Sequence, residues 1–482
     1  MKIKSILKTI GKMMVIEGLL LIAPLIVSFI HKEGTFLSFI IPSLSLIFVG
    51  GILAIFIKVE DSSIYARDGF LIVAVSWILL SIFGSTPFII SGEIPDFIDA
   101  LFETVSGFTT TGATILGDIE VLSKGILFWR SLTHFIGGMG ILVFVLAVMP
   151  SQDKNSANGI YVIRAESTGP SIGKLVSKIQ SSARILYLIY IGVTVLETIL
   201  LLFGGNSLYD SMVLSFSTAG TGGFGTLNTS IATYSNYTQI LIGVFMLVYG
   251  VNFNMFYLLL VGKFKDFFKN EEFRWYIGIA VCSVIIVFFN ILHIYETAGH
   301  ALRDAFFQVS SIMTTTGFST VDFNTWPMLS KFVLFCLMFI GSSAGCTAGG
   351  LKVSRVVIMF KSTIRDLKTL LHPRSVISIH MDGKVLDNQV VDGVKNYFYT
   401  YMGLFLLFVG LISINGYDFE TTISSVAACF NNVGPGFGLV SASSNYGFFS
   451  GFSKVILSIS MIFGRLEIYP MLLLFYPRTY RN

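Results

Sequence analysis

Ser106-Gly-Phe-Thr-Thr-Thr-Gly112-Ala113 is a stretch that the chain repeats, in altered form, three more times. The copies are Ser217-Thr-Ala-Gly-Thr-Gly-Gly223-Phe224, Ser311-Ile-Met-Thr-Thr-Thr-Gly317-Phe318 and Ala428-Cys-Phe-Asn-Asn-Val-Gly434-Pro435. Each sets a glycine six residues after a small residue. A second signal, independent of that alignment, keeps the same register. Asp99, Asp210 and Asp304 lie 13 residues before their glycines, and Thr421, beside Glu420, holds that place in the fourth copy. All are residue types that cap helix N-termini, so the spacing predicts a helix of about ten residues leading into each glycine segment.

The sequence around these copies is apolar. Hydrophobic residues fill 54% of 482 positions and charged ones 12%, against about 25% charged in a soluble domain, which excludes a water-soluble fold. Runs near the 20 or so apolar residues needed to cross a bilayer read at 13–30, 36–58, 69–92, 125–149, 185–204, 237–262, 275–295, 397–415 and 451–476, with an interrupted tenth at 327–361. They lack the polar-apolar alternation of barrel strands and read as helices. Each glycine segment falls between two of them. The expected fold is therefore an all-α polytopic membrane protein with four pseudo-symmetric repeats of span, pore helix, filter loop and span around one central pore. Two extra N-terminal spans occupy 1–62. The repeats read as 63–150, 151–270 with a cytoplasmic linker, 271–375 with an intramembrane loop, and 376–482.

Charge sets the topology, because lysine and arginine mark the cytoplasmic side. Lys2, Lys4, Lys8 and Lys12 precede the first span, and Lys154, Arg164, Lys174, Lys178 and Arg184 fill one linker. Lys263, Lys265, Lys269 and Arg274 form another cluster, and Lys352, Arg355, Lys361, Arg365, Lys368 and Arg374 a third. The opposite loops carry Glu93, Asp96, Asp99, Glu103 and Asp210. Both termini are thereby expected in the cytoplasm. A signal-peptide reading of 13–30 fails, since no small-residue cleavage site follows and a second span begins almost at once. Cys282, Cys336, Cys346 and Cys429 lie in apolar stretches without metal-ligand spacing.

Non-helical backbone at membrane depth is tolerated only where it packs in protein or lines a water-filled path. Glycine opens conformations that let carbonyl oxygens turn toward one axis. Four such strands make rings of carbonyls able to replace the hydration shell of a cation, and pore helices would aim their negative C-terminal ends at the same place. The hydroxyls of Thr110, Thr221 and Thr315 are further oxygen donors.

Thr-Thr-Gly-Ala, Thr-Gly-Gly-Phe, Thr-Thr-Gly-Phe and Asn-Val-Gly-Pro, with the stretch Trp129-Arg-Ser-Leu-Thr-His-Phe-Ile-Gly-Gly-Met-Gly-Ile141, resemble the Trk/Ktr/HKT superfamily of potassium transporters over nearly the whole chain. The two N-terminal spans outside the repeats match its TrkH/TrkG branch rather than the shorter KtrB branch. The resemblance implies a potassium filter formed by Thr110, Thr111, Gly112, Thr221, Gly222, Gly223, Thr315, Thr316, Gly317, Asn432, Val433 and Gly434. It implies channel-like potassium uptake across the inner membrane, with symport coupled to protons or sodium as the alternative. Glycine rather than serine at Gly112 implies preference for potassium over sodium. The fourth filter departs from the threonine pattern at Asn431, Asn432 and Pro435. A homodimer and a separate cytoplasmic nucleotide-binding regulatory ring of the TrkA type are implied partners, alongside the lipid bilayer. Potassium is cargo, and neither an organic cofactor nor nucleic acid is expected. No Walker loop, His-Glu-x-x-His or nucleophile elbow points to a pump or an enzyme.

Gly341-Ser-Ser-Ala-Gly345-Cys-Thr-Ala-Gly349-Gly350 interrupts the closing span of the third repeat with residues that disfavour helix. It reads either as a packed kink or, as the resemblance implies, as a loop that obstructs the pore beneath the filter. Arg465 carries a costly charge within the last span. It reads either as half of a structural ion pair or, by resemblance, as a positive barrier in the permeation path. Glu467 does not share its helix face. Glu17 and Glu197 read as coupling sites or as structural hydrogen-bonding residues. His134 and His300 read as ordinary interface residues, and Gly137, Gly138 and Gly140 as allowing close helix packing.

Overall fold

A computed structural model describes residues 3–57, 66–140 and 179–480. The second half of the span read at 125–149, the basic residues Lys2, Lys154, Arg164, Lys174 and Lys178, and the first two repeat boundaries lie outside them. The described residues are mostly helical. The strands among them form a short antiparallel hairpin, His380–Met381 against Lys384–Val385. Its turn residues Asp382 and Gly383 both have positive φ, the type I′ geometry that suits a two-residue hairpin.

Among the described residues, six helices are long and apolar enough to cross a membrane: Lys4–Ile30, Gly34–Phe56, Asp68–Ser91, Ala183–Phe203, Glu271–Ile294 and Asn388–Ser413. The first two form a hairpin whose helices approach along a seam of small residues. A Cβ on Gly50 would lie 2.6 Å from the Gly11 carbonyl oxygen, and the Ser43 hydroxyl donates to the Gly18 carbonyl at 2.7 Å. Such residues let backbones meet where no hydrophobic effect drives helices together.

The four remaining expected spans begin with short helices, and three of them are broken within the described residues, the one read at 125–149 being described only through Gly140. Their first segments are Lys124–Gly138, Asn236–Tyr249, Met328–Ile340 and Gly451–Arg465, 13 to 15 residues each. At about 1.5 Å per residue these fall short of the roughly 30 Å hydrocarbon core. The expected continuous span at 237–262 is corrected accordingly, since Asn236–Tyr249 and Phe253–Leu260 meet at 93°. Asn252 causes the turn by capping the second segment, its side chain accepting from the Asn254 N–H. The last span is interrupted by Glu467 and Ile468, both at positive φ, before Tyr469–Phe475 resumes.

Between each spanning helix and the span that follows it lies a short buried helix: Phe97–Phe108, Leu208–Gly220, Ala298–Met313 and Phe419–Phe430. The first segment of each following span packs against the short helix of the next repeat, first on second, second on third, third on fourth and fourth on first. The packing closes a ring. Polar contacts pin its seams: the Tyr209 hydroxyl donates to the Lys124 carbonyl, Lys331 pairs with Glu420, and Lys454 pairs with Asp99.

Candidate functional site: four filter loops above an intramembrane segment

The four short helices end in the same way. The N–H groups of Thr111, Gly222, Thr316 and Val433 donate to the carbonyls of Ser106, Ser217, Ser311 and Ala428 at 2.8, 2.9, 2.8 and 2.8 Å. This is the 6→1 bond of a Schellman motif, which requires the residue before it to be left-handed. Thr110, Thr221, Thr315 and Asn432 occupy that place, with φ of 54°, 56°, 53° and 55°. Glycine usually fills it, and a β-branched residue there is strained by about 1–2 kcal/mol. Strain of this kind gathers at functional sites. Two residues on, Gly112, Gly223, Gly317 and Gly434 again have positive φ, from 79° to 92°. The fourth loop, despite its asparagines and proline, keeps the backbone signature of the other three.

These glycines close the ring. A Cβ on Gly112 would lie 1.9 Å from the Gly222 carbonyl oxygen, and one on Gly223 would lie 2.2 Å from that of Thr316. One on Gly317 would lie 2.3 Å from the Val433 oxygen, and one on Gly434 would lie 2.5 Å from the Thr111 oxygen. Every expected filter position is therefore brought to one place, in the cyclic order of the repeats. All four glycines line a cavity of about 180 Å³ together with Arg130, Asn228 and Asn445. The side chains of Thr111 and Thr316 turn away, each hydroxyl 2.8 Å from that of Thr109 or Thr314. Thr315 is engaged as well, accepting from the Gly349 N–H at 2.7 Å. Only backbone oxygens are thus repeated fourfold at this site.

The aspartates that revealed the register do not cap the helices. Asp96, Ser207, Thr297 and Asp418 do so, each accepting backbone N–H groups. The Asp210 carboxylate instead accepts from the Thr226 hydroxyl at 3.0 Å, and Asp304 from Thr320 at 3.2 Å. Thr421 accepts from the Leu439 N–H at 3.0 Å. Each braces the strand that follows its own glycine. In the first repeat Glu103 does this, binding the Thr114 hydroxyl and the Ile115 N–H at 3.0 and 3.1 Å. Glu103 is consequently a buried helix residue rather than part of an acidic loop, and Arg130 neutralises it at 2.7 Å while covering the Phe224 ring. His134 is likewise not at an interface. It is fully buried, stacked on Phe224 at 4.2 Å, and fills the space beside Gly222. His300 is exposed, as expected.

Against the inner ends of the glycine loops lies the interrupted segment of the third repeat. Gly341, Gly345 and Gly350 have positive φ, and the next helix begins at Val353. The second, third and fourth repeats touch this segment, and the first is tied to it through Arg465. The Ser342 hydroxyl donates to the Met313 carbonyl, Ser343 N–H donates to the Gly250 carbonyl, and the Gly345 carbonyl accepts from Phe253. Gly349 packs so closely under the fourth pore helix that a Cβ would be 2.2 Å from the Asn431 oxygen. Arg465 supplies the last link, donating to the Thr347 carbonyl and to the carbonyls of Gly137 and Gly138 in the first repeat. The two sequence oddities at 341–350 and 465 therefore meet directly. Glu467 pairs with Arg355 instead, just beyond the segment.

Three residues of this region escaped the sequence. Lys352, counted there as a cytoplasmic charge, is buried with its ammonium on the Ala348 carbonyl. Asn252 shapes the broken helix of the second repeat, and Glu272 holds the segment from the side. Glu272 owes its role to backbone 72 and 82 positions away, whereas Asn252 and Lys352 act on groups two and four residues off inside stretches that read as continuous span or cytoplasmic charge. Glu197 faces Thr218 and Tyr249 behind the second short helix, and Glu17, on the first helix of the N-terminal hairpin, lies against Gly84 of the third spanning helix.

Four loops closed on one axis within a ring of spanning helices define a pore-loop membrane protein. A family model described as "TrkH: Cation transport protein" matches residues 37–479. The chain is 36% identical over 492 aligned residues to the Trk system potassium uptake protein TrkH of Salmonella typhimurium, covering 100% of both. It is 33% identical over 471 residues to Trk system potassium uptake protein TrkG of Escherichia coli K12, covering 96% of both. The crystal structure of the potassium transporter TrkH from Vibrio parahaemolyticus matches with a TM-score of 0.90 at 33% identity, each chain fully covered. The chain belongs to the TrkH family of membrane cation transport proteins.

Proposed function

We propose that this protein takes up potassium through a channel-like path whose selectivity filter is the fourfold ring of loop backbone. The observation that carries the reading is the closed cycle in which each filter glycine accommodates the carbonyl of the next repeat. Backbone oxygens held in that cycle suit a cation stripped of its water, and four helix C-termini add negative potential. Relatives named as potassium uptake proteins supply the ion. The segment at Gly341, Gly345, Gly349 and Gly350, tied to Arg465, is the gate in this reading. It obstructs by volume while the arginine opposes cations by charge. The chain divides into the N-terminal hairpin and four repeats at the boundaries read from sequence, with both termini cytoplasmic. A homodimer and a nucleotide-binding cytoplasmic ring complete the working assembly.

Rubidium uptake into proteoliposomes holding the purified chain is the test. Uptake that potassium competes away far better than sodium is the expected result. Uptake no faster than in empty liposomes, with and without a cytoplasmic partner, would overturn the proposal. Imposing proton and sodium gradients separately distinguishes passive conduction, which neither gradient drives, from symport.

A further inference from the structure

Glu272 lies in the first turn of the third repeat's spanning helix, Glu271–Ile291. It is only 7% exposed. One of its carboxylate oxygens accepts from the N–H of Ala344 at 2.7 Å and from the N–H of Ser354 at 3.2 Å. Those donors flank the interrupted segment, one inside its entrance and one just past its exit. A single oxygen therefore ties the two shoulders together. Backbone N–H groups bonded to a charged acceptor are held about twice as strongly as to a neutral one. The adjoining helix end is itself fixed. The Glu271 N–H donates to Asp382 of the hairpin at 2.6 Å, the Asn270 side chain donates to the same carboxylate at 3.0 Å, and Lys361 pairs with Glu271. Asn270 caps the helix. The carboxylate thus stands on a rigid mount, while the segment between its two donors is rich in glycine.

We propose that Glu272 is a positioning residue that clamps the intramembrane segment in its obstructing conformation. The inference rests on reading that segment as the gate. Opening requires both shoulders to leave the carboxylate, so weakening this one acceptor favours the open form.

Cys346, 7% exposed in the middle of the segment, reports its release independently of ion flux. The experiment compares the full chain with Glu272→Gln, which keeps the shape and one carbonyl acceptor but removes the charge, and with Glu272→Ala. Alkylation of Cys346 by N-ethylmaleimide is followed in proteoliposomes, with Cys346→Ser giving the background from other cysteines. Rubidium uptake is measured on the same samples. Alkylation and uptake are both expected to rise about tenfold in Glu272→Gln, corresponding to about 1.4 kcal/mol. Folded Glu272→Gln protein with unchanged alkylation overturns the clamp, whatever its uptake. Faster alkylation with unchanged uptake upholds the clamp and instead removes the segment from the gate. If Glu272→Ala fails to fold, Glu272→Gln alone decides.

Discussion

Substituting alanine for the filter glycines one at a time gives a graded test of the closed cycle. Alanine at any of the four faces two penalties. Positive φ strains an L-residue by about 1–3 kcal/mol, and this is common to all. The added methyl also meets a neighbouring carbonyl oxygen, at 1.9 Å for Gly112, 2.2 Å for Gly223, 2.3 Å for Gly317 and 2.5 Å for Gly434. Real contacts of this kind essentially never fall below 3.0 Å, so the oxygen must retreat by at least about 1.1 Å in the first case and about 0.5 Å in the last. The obstacle is backbone and cannot rotate away. An ion preference that depends on those oxygens should fall in the same order, most for Gly112→Ala and least for Gly434→Ala. Each 1.4 kcal/mol lost from the difference between ions reduces the preference about tenfold. The assay is competition of rubidium uptake by potassium and sodium in proteoliposomes at matched amounts of folded protein. Unchanged preference in Gly112→Ala, or greatest damage in Gly434→Ala, would refute the argument that these glycines exist to admit the next repeat's carbonyl.

Glu103→Ala leaves Arg130 buried and unpaired and frees the strand after Gly112, so a loss of about 3–5 kcal/mol in stability is expected, read as lower thermal unfolding in detergent. The double variant Glu103→Gln, Arg130→Met should recover part of it. Arg465→Ala removes both a charge and three carbonyl contacts spanning the first and third repeats. Rubidium uptake should rise several-fold with ion preference intact, and unchanged uptake in folded protein would make the arginine structural. Asp418, at an exposed helix N-terminus, is held below the usual carboxylate range by the Thr421 hydroxyl and then by the Thr421 N–H. A depressed value means that its contribution is present above about pH 4 and is lost as pH falls through the folded value. Asp418→Ala should cost about 1 kcal/mol at neutral pH, and the melting curves of variant and wild type should converge in acid.

The repeat was legible because its signals are local. The second left-handed position favours glycine, and Gly112, Gly223, Gly317 and Gly434 record that preference at fixed spacing, whereas the threonines two residues before the first three of them are held there against theirs. The acids at the 13-residue spacing marked the register correctly but for another reason. Asp210 and Asp304 brace the strand after their glycines, 16 positions on, and Asp99 pairs with Lys454 of the fourth repeat, while the cap belongs to less distinctive residues such as Ser207 and Thr297. Only one of the three helix breaks among the described residues announced itself. That of the third repeat carries four glycines, whereas Gly250-Val-Asn252 and Leu466–Ile468 keep hydropathy high through the turn, so a scale that counts apolar residues reads straight across them.

The sequence by itself determined the membrane class, the fourfold unit and the positions of its four glycine loops, because hydropathy, glycine and turn-forming residues act on the backbone nearest to them. Tertiary structure alone decided the cyclic order of the repeats, the partners of Arg465, Glu467, Glu103 and His134, and the hold of Glu272 on the intramembrane segment. Those contacts join residues up to 355 positions apart. Their donors and acceptors are largely main-chain groups that every residue carries, and these acquire a partner only when packing brings two distant backbones to the same place.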